Sequence, residues 1–142
     1  MNGNLLEKVT AYIDSHREEM LDCWRTLVEI EGDIGNKAGT DQVARTIAAL
    51  LESWGIPGEI VPMEKAGDSL RAQWGSSRTG EPVLLIGHMD TVHSKGTLAE
   101  IPFRVENGKV YGSGVLDMKG GLVCALYAMQ ALMEAGYEAR PI

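Results

Sequence analysis

The run Val83-Leu84-Leu85-Ile86 is apolar at every position. A strand with one wet face alternates polar and apolar side chains, so a run without alternation predicts a central strand covered on both faces. The turn-forming stretch Gly75-Ser76-Ser77-Arg78-Thr79-Gly80 precedes it, and it ends at Gly87-His88. A strand covered twice needs packing layers on either side, and the chain supplies helical patterns before and after it. An α/β layered domain follows. Such folds place their chemistry at the carboxyl ends of the central strands, which singles out His88.

Leu6, Val9, Ile13, Met20, Trp24 and Leu27 recur at helical spacing. Asn4 with Glu7, and Ser15 with Glu18, have capping-box spacing, predicting two short helices or one long helix bent near Ser15, with His16 on the edge of the apolar stripe. Gly32, Gly35 and Gly39 break the pattern. Thr40 or Asp41 is expected to cap the next helix, whose buried face is Val43, Ile47, Leu50, Leu51 and Trp54, with Gly55 and Pro57 as its stop. Glu59-Ile60-Val61 reads as a short strand, and Leu70, Ala72 and Trp74 alternate with Arg71 and Gln73 as a second. Asn107-Gly108 between Arg104-Val105-Glu106 and Lys109-Val110-Tyr111 is a strong hairpin signal. An apolar-rich helix is expected over 119–135, ending at Gly136.

A chain of 142 residues is about one domain's worth. Its longest apolar run, residues 122–129, is under half of the roughly 20 residues a spanning helix needs, and its start has no basic leader before an apolar stretch. The expectation is a cytoplasmic protein without a membrane partner. Thirteen basic against 20 acidic side chains, with no basic cluster, argue against a nucleic-acid partner. Cys23 and Cys124 lie far apart in apolar helical stretches and are expected to be reduced and buried.

Two clusters could carry chemistry. In Gly87-His88-Met89-Asp90, residues two apart on an extended segment face one side, so Asp90 can reach the His88 imidazole. A carboxylate that accepts one ring N–H fixes the tautomer and raises the basicity of the other nitrogen, as a metal-binding histidine requires. Both residues could equally be no more than strand-end caps. In Gly112-Ser113-Gly114-Val115-Leu116-Asp117-Met118-Lys119-Gly120-Gly121, Asp117 stands before the last helix, where it could act as a ligand or as an N-cap. Aspartate at the third glycine position excludes a dinucleotide fingerprint, and Lys119 precedes its glycine without a following Ser or Thr, which excludes a P-loop. No Gly-x-Ser-x-Gly elbow and no His-Glu-x-x-His helix occur. His93 could join a metal site, although an exposed loop histidine is the simpler reading, and Glu18 and Glu19 read as a solvated helix face.

Taken together, the two clusters resemble the paired signature of the co-catalytic zinc metallopeptidases, the family of acetylornithine deacetylase, succinyl-diaminopimelate desuccinylase, aminoacylases and glutamate carboxypeptidase. Lys95-Gly96-Thr97-Leu98-Ala99 and Pro102-Phe103-Arg104-Val105-Glu106 look most like the glutamate carboxypeptidase (carboxypeptidase G) branch. The resemblance implies the N-terminal part of a three-layer zinc-exopeptidase catalytic domain, a mixed sheet flanked by helices. It implies that His88 ligates one zinc ion, that Asp117 bridges two, that Asp90 orients His88, and that the Asp117-Met118 peptide is cis. Cobalt could replace zinc. The implied reaction is hydrolysis of a peptide or N-acyl amide bond by a metal-activated water, whose pKa falls towards about 7, with release of a C-terminal glutamate-like residue. The family's general-base glutamate, its remaining zinc ligands and its lid domain would follow residue 142. The expectation is therefore an incomplete catalytic domain over 1–142, inactive by itself, that self-associates as a homodimer or larger species through an exposed sheet edge. The alternative is a non-catalytic fold fragment or binding module.

Overall fold

A computed structural model describes residues 2–142. Helices α1 (Asn2–Ser15) and α2 (Arg17–Val28) are separated at His16, whose backbone leaves the helical region (φ −110°, ψ 18°). The expected caps are not used. α1 already includes Asn4, and Ser15 Oγ turns back to donate to Tyr12 O at 2.9 Å, while the His16 ring stacks on Tyr12 with centroids 3.7 Å apart. Helix α3 (Lys37–Ser53) starts earlier than Thr40, because Asn36 Oδ1 accepts from Gly39 N–H at 3.1 Å and caps the first turn. Its buried face comprises Val43, Ala44, Ile47 and Leu51, with Leu50 and Trp54 partly covered.

Strands β1 (Gly58–Val61) and β2 (Ser69–Ala72) pair antiparallel, Gly58 opposite Ala72 and Val61 opposite Ser69. After a short helix α4 (Thr97–Glu100), β3 (Arg104–Glu106) and β4 (Lys109–Tyr111) form the expected hairpin, with Asn107 and Gly108 both at positive φ as a tight two-residue turn requires. Helix α5 (Gly120–Glu134) is the last described helix, and Gly136 at φ 75° ends it. The stretch Val115–Glu134 is apolar enough to cross a bilayer by length and composition alone. Non-helical backbone at Asp117 and Met118 interrupts it, leaving a continuous helix shorter than the roughly 20 residues a span needs.

One core joins the long helices: Leu27, Val43, Ile47, Leu51, Ile56, Val123, Leu126, Tyr127 and Met129. Trp54 meets Tyr127 edge-on, with ring centroids 5.5 Å apart. α5 packs against α1 and α2 on one side. Its Cys124 is exposed, contrary to expectation, because Gly121, Cys124 and Ala128 share the face that no other element covers. Cys23 is partly buried, and burial pushes its thiol up to about 11.

The central-strand expectation is corrected. Residues 83–86 form no ladder among the described residues, and Leu84 and Ile86 are 79% and 81% exposed. The physical reason lies beside the run. Residues 140–142 enter between β2 and Val83: Trp74 and Ile142 exchange both backbone hydrogen bonds at 2.7 and 3.0 Å, and Val83 N–H donates to Pro141 O at 2.9 Å. Past Val83, no described strand is hydrogen-bonded to the run. An apolar groove of about 320 Å³ lies there, walled by Leu70, Ile86, Met89, Met118, Leu122 and Leu126 among others.

Candidate metal centre

His88, Asp90 and Asp117 come together at the end of the 83–87 segment. His88 Nδ1 lies 3.1 Å from Asp90 Oδ1 and 3.0 Å from Asp90 O, and His88 Nε2 lies 2.9 Å from Asp117 Oδ1. Both nitrogens thus face oxygen acceptors. A neutral imidazole has only one N–H, and an ionised carboxylate only accepts. The second nitrogen must therefore either carry a proton of its own or share a cation with its carboxylate. Partial burial pulls the imidazole pKa down, but hydrogen bonds and negative charge from Asp117 and Asp90 outweigh it, and the net shift is upward.

The loop geometry follows from local sequence. Gly114, at φ 71°, starts the turn that carries Asp117, and a Cβ there would collide with the Thr91 methyl. The Asp117-Met118 peptide is cis. Met118 folds back so that its Sδ accepts from His88 N–H at 3.4 Å. Asp117 is mostly exposed and caps no helix, which removes the N-cap reading.

Lys119 escaped the sequence reading. It is 1% exposed, its Nζ donates to Ile30 O at 2.7 Å, and burial pushes its pKa down to about 8 against the opposing charge of Glu31. A lysine heading an otherwise apolar helix was the available signal. His93 is exposed and stands apart from His88, lining a polar cavity of about 10 Å³ with Asp33, Thr91 and Ser113.

The donor set suits a cation. An imidazole held by a carboxylate on one nitrogen, with a second carboxylate beside the other, supplies two corners of a zinc coordination sphere and a partner for the ligating histidine. Among the described residues no third His, Cys, Asp or Glu joins them, whereas zinc is held firmly by three or four protein ligands. The large groove is not lined by His88, Asp90 or Asp117, so its apolar walls belong to packing and not to this polar site.

Comparison with known proteins agrees with the two-cluster resemblance. The model of Peptidase family M20/M25/M40 matches residues 84–142. Carboxypeptidase G2 of Pseudomonas sp. (strain RS-16) is 37% identical over 115 residues, covering 78% of this chain and 27% of the relative. Acetylornithine deacetylase of Pasteurella multocida (strain Pm70) is 37% identical over 101 residues, covering 65% of this chain and 26% of that one. Among solved structures, human carnosine dipeptidase 1 superposes with a TM-score of 0.79 at 25% identity, covering 91% of this chain and 31% of that one. The chain thus spans about a third or less of the proteins it matches.

Proposed function

We propose, from the premise that this chain carries a Peptidase M20 family domain over residues 84–142, that it forms the N-terminal part of a zinc-dependent exopeptidase or amidase acting on a peptide or N-acyl amino acid. The observation that carries the reading is the 2.9 Å approach of His88 Nε2 to Asp117 Oδ1, with Asp90 holding the opposite ring nitrogen. Carboxypeptidase G2 among the relatives supports release of a C-terminal glutamate-like residue.

His88 and Asp117 would hold the metal. Bound zinc supplies Lewis-acid polarisation of the scissile carbonyl and a lowered pKa for water. The chain's own residues do the rest of what can be derived. By accepting the Nδ1–H, Asp90 leaves the Nε2 lone pair free to hold a cation shared with Asp117. The Asp117 carboxylate offers negative charge to the same point in space. No described group stands ready as general base, and the base and remaining ligands would come from outside these residues, as would the lid domain. Residues 1–142 alone are then inactive and bind metal weakly, with cobalt as a spectroscopic substitute.

The test is to incubate the 142-residue chain with zinc and a panel of N-acyl amino acids and glutamyl peptides. No turnover is expected, and robust turnover refutes the inactivity. Zinc titration should show weak binding that His88→Ala abolishes. A tight stoichiometric isotherm, or one that survives the substitution, contradicts the site. A non-catalytic module is the second reading, favoured by the two-donor count. The parent gene decides between them: an acidic strand end within a few dozen residues of Ile142 supports the hydrolase, and its absence sinks it.

A further inference from the structure

Two backbone carbonyls, two residues apart, reach the two halves of the candidate centre. Gly32 O accepts from Thr91 N–H at 2.7 Å, one residue past Asp90. Ile30 O accepts from Lys119 Nζ at 2.7 Å, two residues past Asp117. Asp33 also forms a parallel bridge with Thr91, so the first tie is a piece of paired backbone. The segment 30–33 is itself braced, since Asn36 Nδ2 donates to Glu31 O at 2.8 Å and Asp33 Oδ1 accepts from Gly35 N–H at 3.1 Å.

Lys119 is the unusual member. Lysines normally extend their ammonium to water, and burying one is costly unless it is paired. Here the side chain is buried, and its hydrogen bond goes to a main-chain carbonyl. The space could be filled by a methionine of similar length, and the adjoining Gly120 already packs on the Trp24 ring without needing a charge. What the ammonium adds is a strong, directional tie between the Asp117 turn and residue 30.

Resting on the zinc-site reading above, we propose that Lys119 is a positioning residue. Through Ile30 it fixes the Asp117 turn to the same short segment that fixes the His88-Asp90 loop through Thr91, and so sets the separation of His88 Nε2 from Asp117 Oδ1. Glu31 provides an internal control. Its Oε1 accepts from Gly96 and Leu98 N–H at 2.9 and 3.0 Å, bracing the α4 loop, and it acts on the Lys119 ammonium through charge without making the Ile30 tie.

The experiment compares the 142-residue chain with Lys119→Met and Glu31→Ala, reading the His88 ring ¹⁵N resonances at fixed pH and the zinc affinity. Lys119→Met is expected to move the Nε2 resonance in the metal-free protein and to weaken zinc by about tenfold or more, as loss of a ligand-orienting contact does. Glu31→Ala removes a charge near Lys119 but keeps the Ile30 tie, and should disturb both much less than Lys119→Met. A Lys119→Met chain with wild-type resonances and affinity overturns the proposal, as does an equal disturbance by Glu31→Ala. If zinc fails to move the wild-type His88 resonances, the metal reading fails, while the metal-free comparison still decides the positioning role. Should Lys119→Met not fold, the wild-type chain supplies the test by reciprocity: zinc must slow exchange of the Thr91 amide, and unchanged exchange overturns the coupling.

Discussion

The two loops that meet at the candidate centre are held very differently. The Asp117 turn is anchored at three points: Lys119 N–H donates to Gly114 O at 3.1 Å, Lys119 Nζ to Ile30 O, and Gly120 sits against Trp24 over the helical core. The His88 segment is held at its ends, by Val83 to Pro141 and by Thr91 to Gly32, and between them its apolar side chains stand open. One half of the centre is therefore built by the helices, whereas the other half stands on a segment that no described strand pairs with past Val83. The contrast teaches that His88 and Asp117 can be brought within hydrogen-bond distance while the segment that carries His88 stays uncovered.

The largest expected effect separates these regions by stability. Leu27 is 1% exposed in the core, so Leu27→Ala should lower unfolding free energy by about 2–5 kcal/mol, from lost transfer and the cavity left behind. Leu84→Ser on the open segment should stay within about 0.5 kcal/mol. Urea titration of both variants checks this. If Leu84→Ser costs as much as Leu27→Ala, the segment is covered in solution and the contrast collapses. A smaller effect belongs to the anchored turn. Gly114→Ala places a Cβ at positive φ and against Thr91, and should cost about 1–2 kcal/mol. Unchanged stability would show that the turn relaxes freely.

The contrast also explains what could be read from sequence. Helices α3 and α5, the short strands β1 and β2 and the Asn107-Gly108 hairpin follow local periodicity and turn chemistry, which a single sequence carries, whereas the pairing of β1 with β2 does not. The proximity of Asp90 to His88 follows from their spacing, whereas that of Asp117 was legible only through the pairing of two motifs, since nothing local to either motif places His88 and Asp117 at 2.9 Å. The caps differ because several residues near each helix start could serve, and Asn36, which accepts from Gly39 N–H and donates to Glu31 O, takes the place expected for Thr40 or Asp41. Lys119 was missed because a buried lysine looks like a surface one until its carbonyl partner is seen. Residues 83–86 carry the apolar signature of a buried strand, but among the described residues no neighbour covers their free side, and apolar content alone does not supply one.

Those open backbone groups lead to the next expectation. An uncharged, apolar edge invites pairing with another chain, so the 142-residue protein is proposed to dimerise or aggregate. Replacing Leu84 and Ile86 together with lysine should shift it towards monomer in light scattering, with the helical circular dichroism retained. A wild-type chain that is monodisperse and monomeric at high concentration counts against the idea, as does self-association that the paired lysines leave intact.

The smallest effect lies far from the open segment. Lys37 Nζ bonds Asp68 and, at 3.0 Å, Asp41, while Asp68 N–H donates to Asp41 Oδ1 at 2.7 Å and Met63 N–H to Asp68 Oδ1 at 2.9 Å, tying α3 to the loop before β2. The Asp68 backbone N–H holds the Asp41 carboxyl below its usual value, and the Lys37 ammonium does the same for Asp68. The hydrogen bond to Asp68 raises Lys37. A carboxyl depressed in the folded state contributes stability above its unfolded pKa of about 3.9 and loses it as pH falls through the lower folded value. A raised lysine contributes fully below its unfolded pKa of about 10.4 and loses that contribution as pH climbs through the higher folded one. The melting-temperature gap between wild type and Asp68→Asn should therefore be flat around neutrality and close in acid, starting near about pH 4. High salt should narrow it only in part, because the backbone donors to Asp41 and Asp68 carry no net charge to be screened. A gap that persists undiminished at the acid end would mean that Asp68 acts through shape, and a gap that moves the His88 resonances with it would mean that the anchored and open halves are not separable after all.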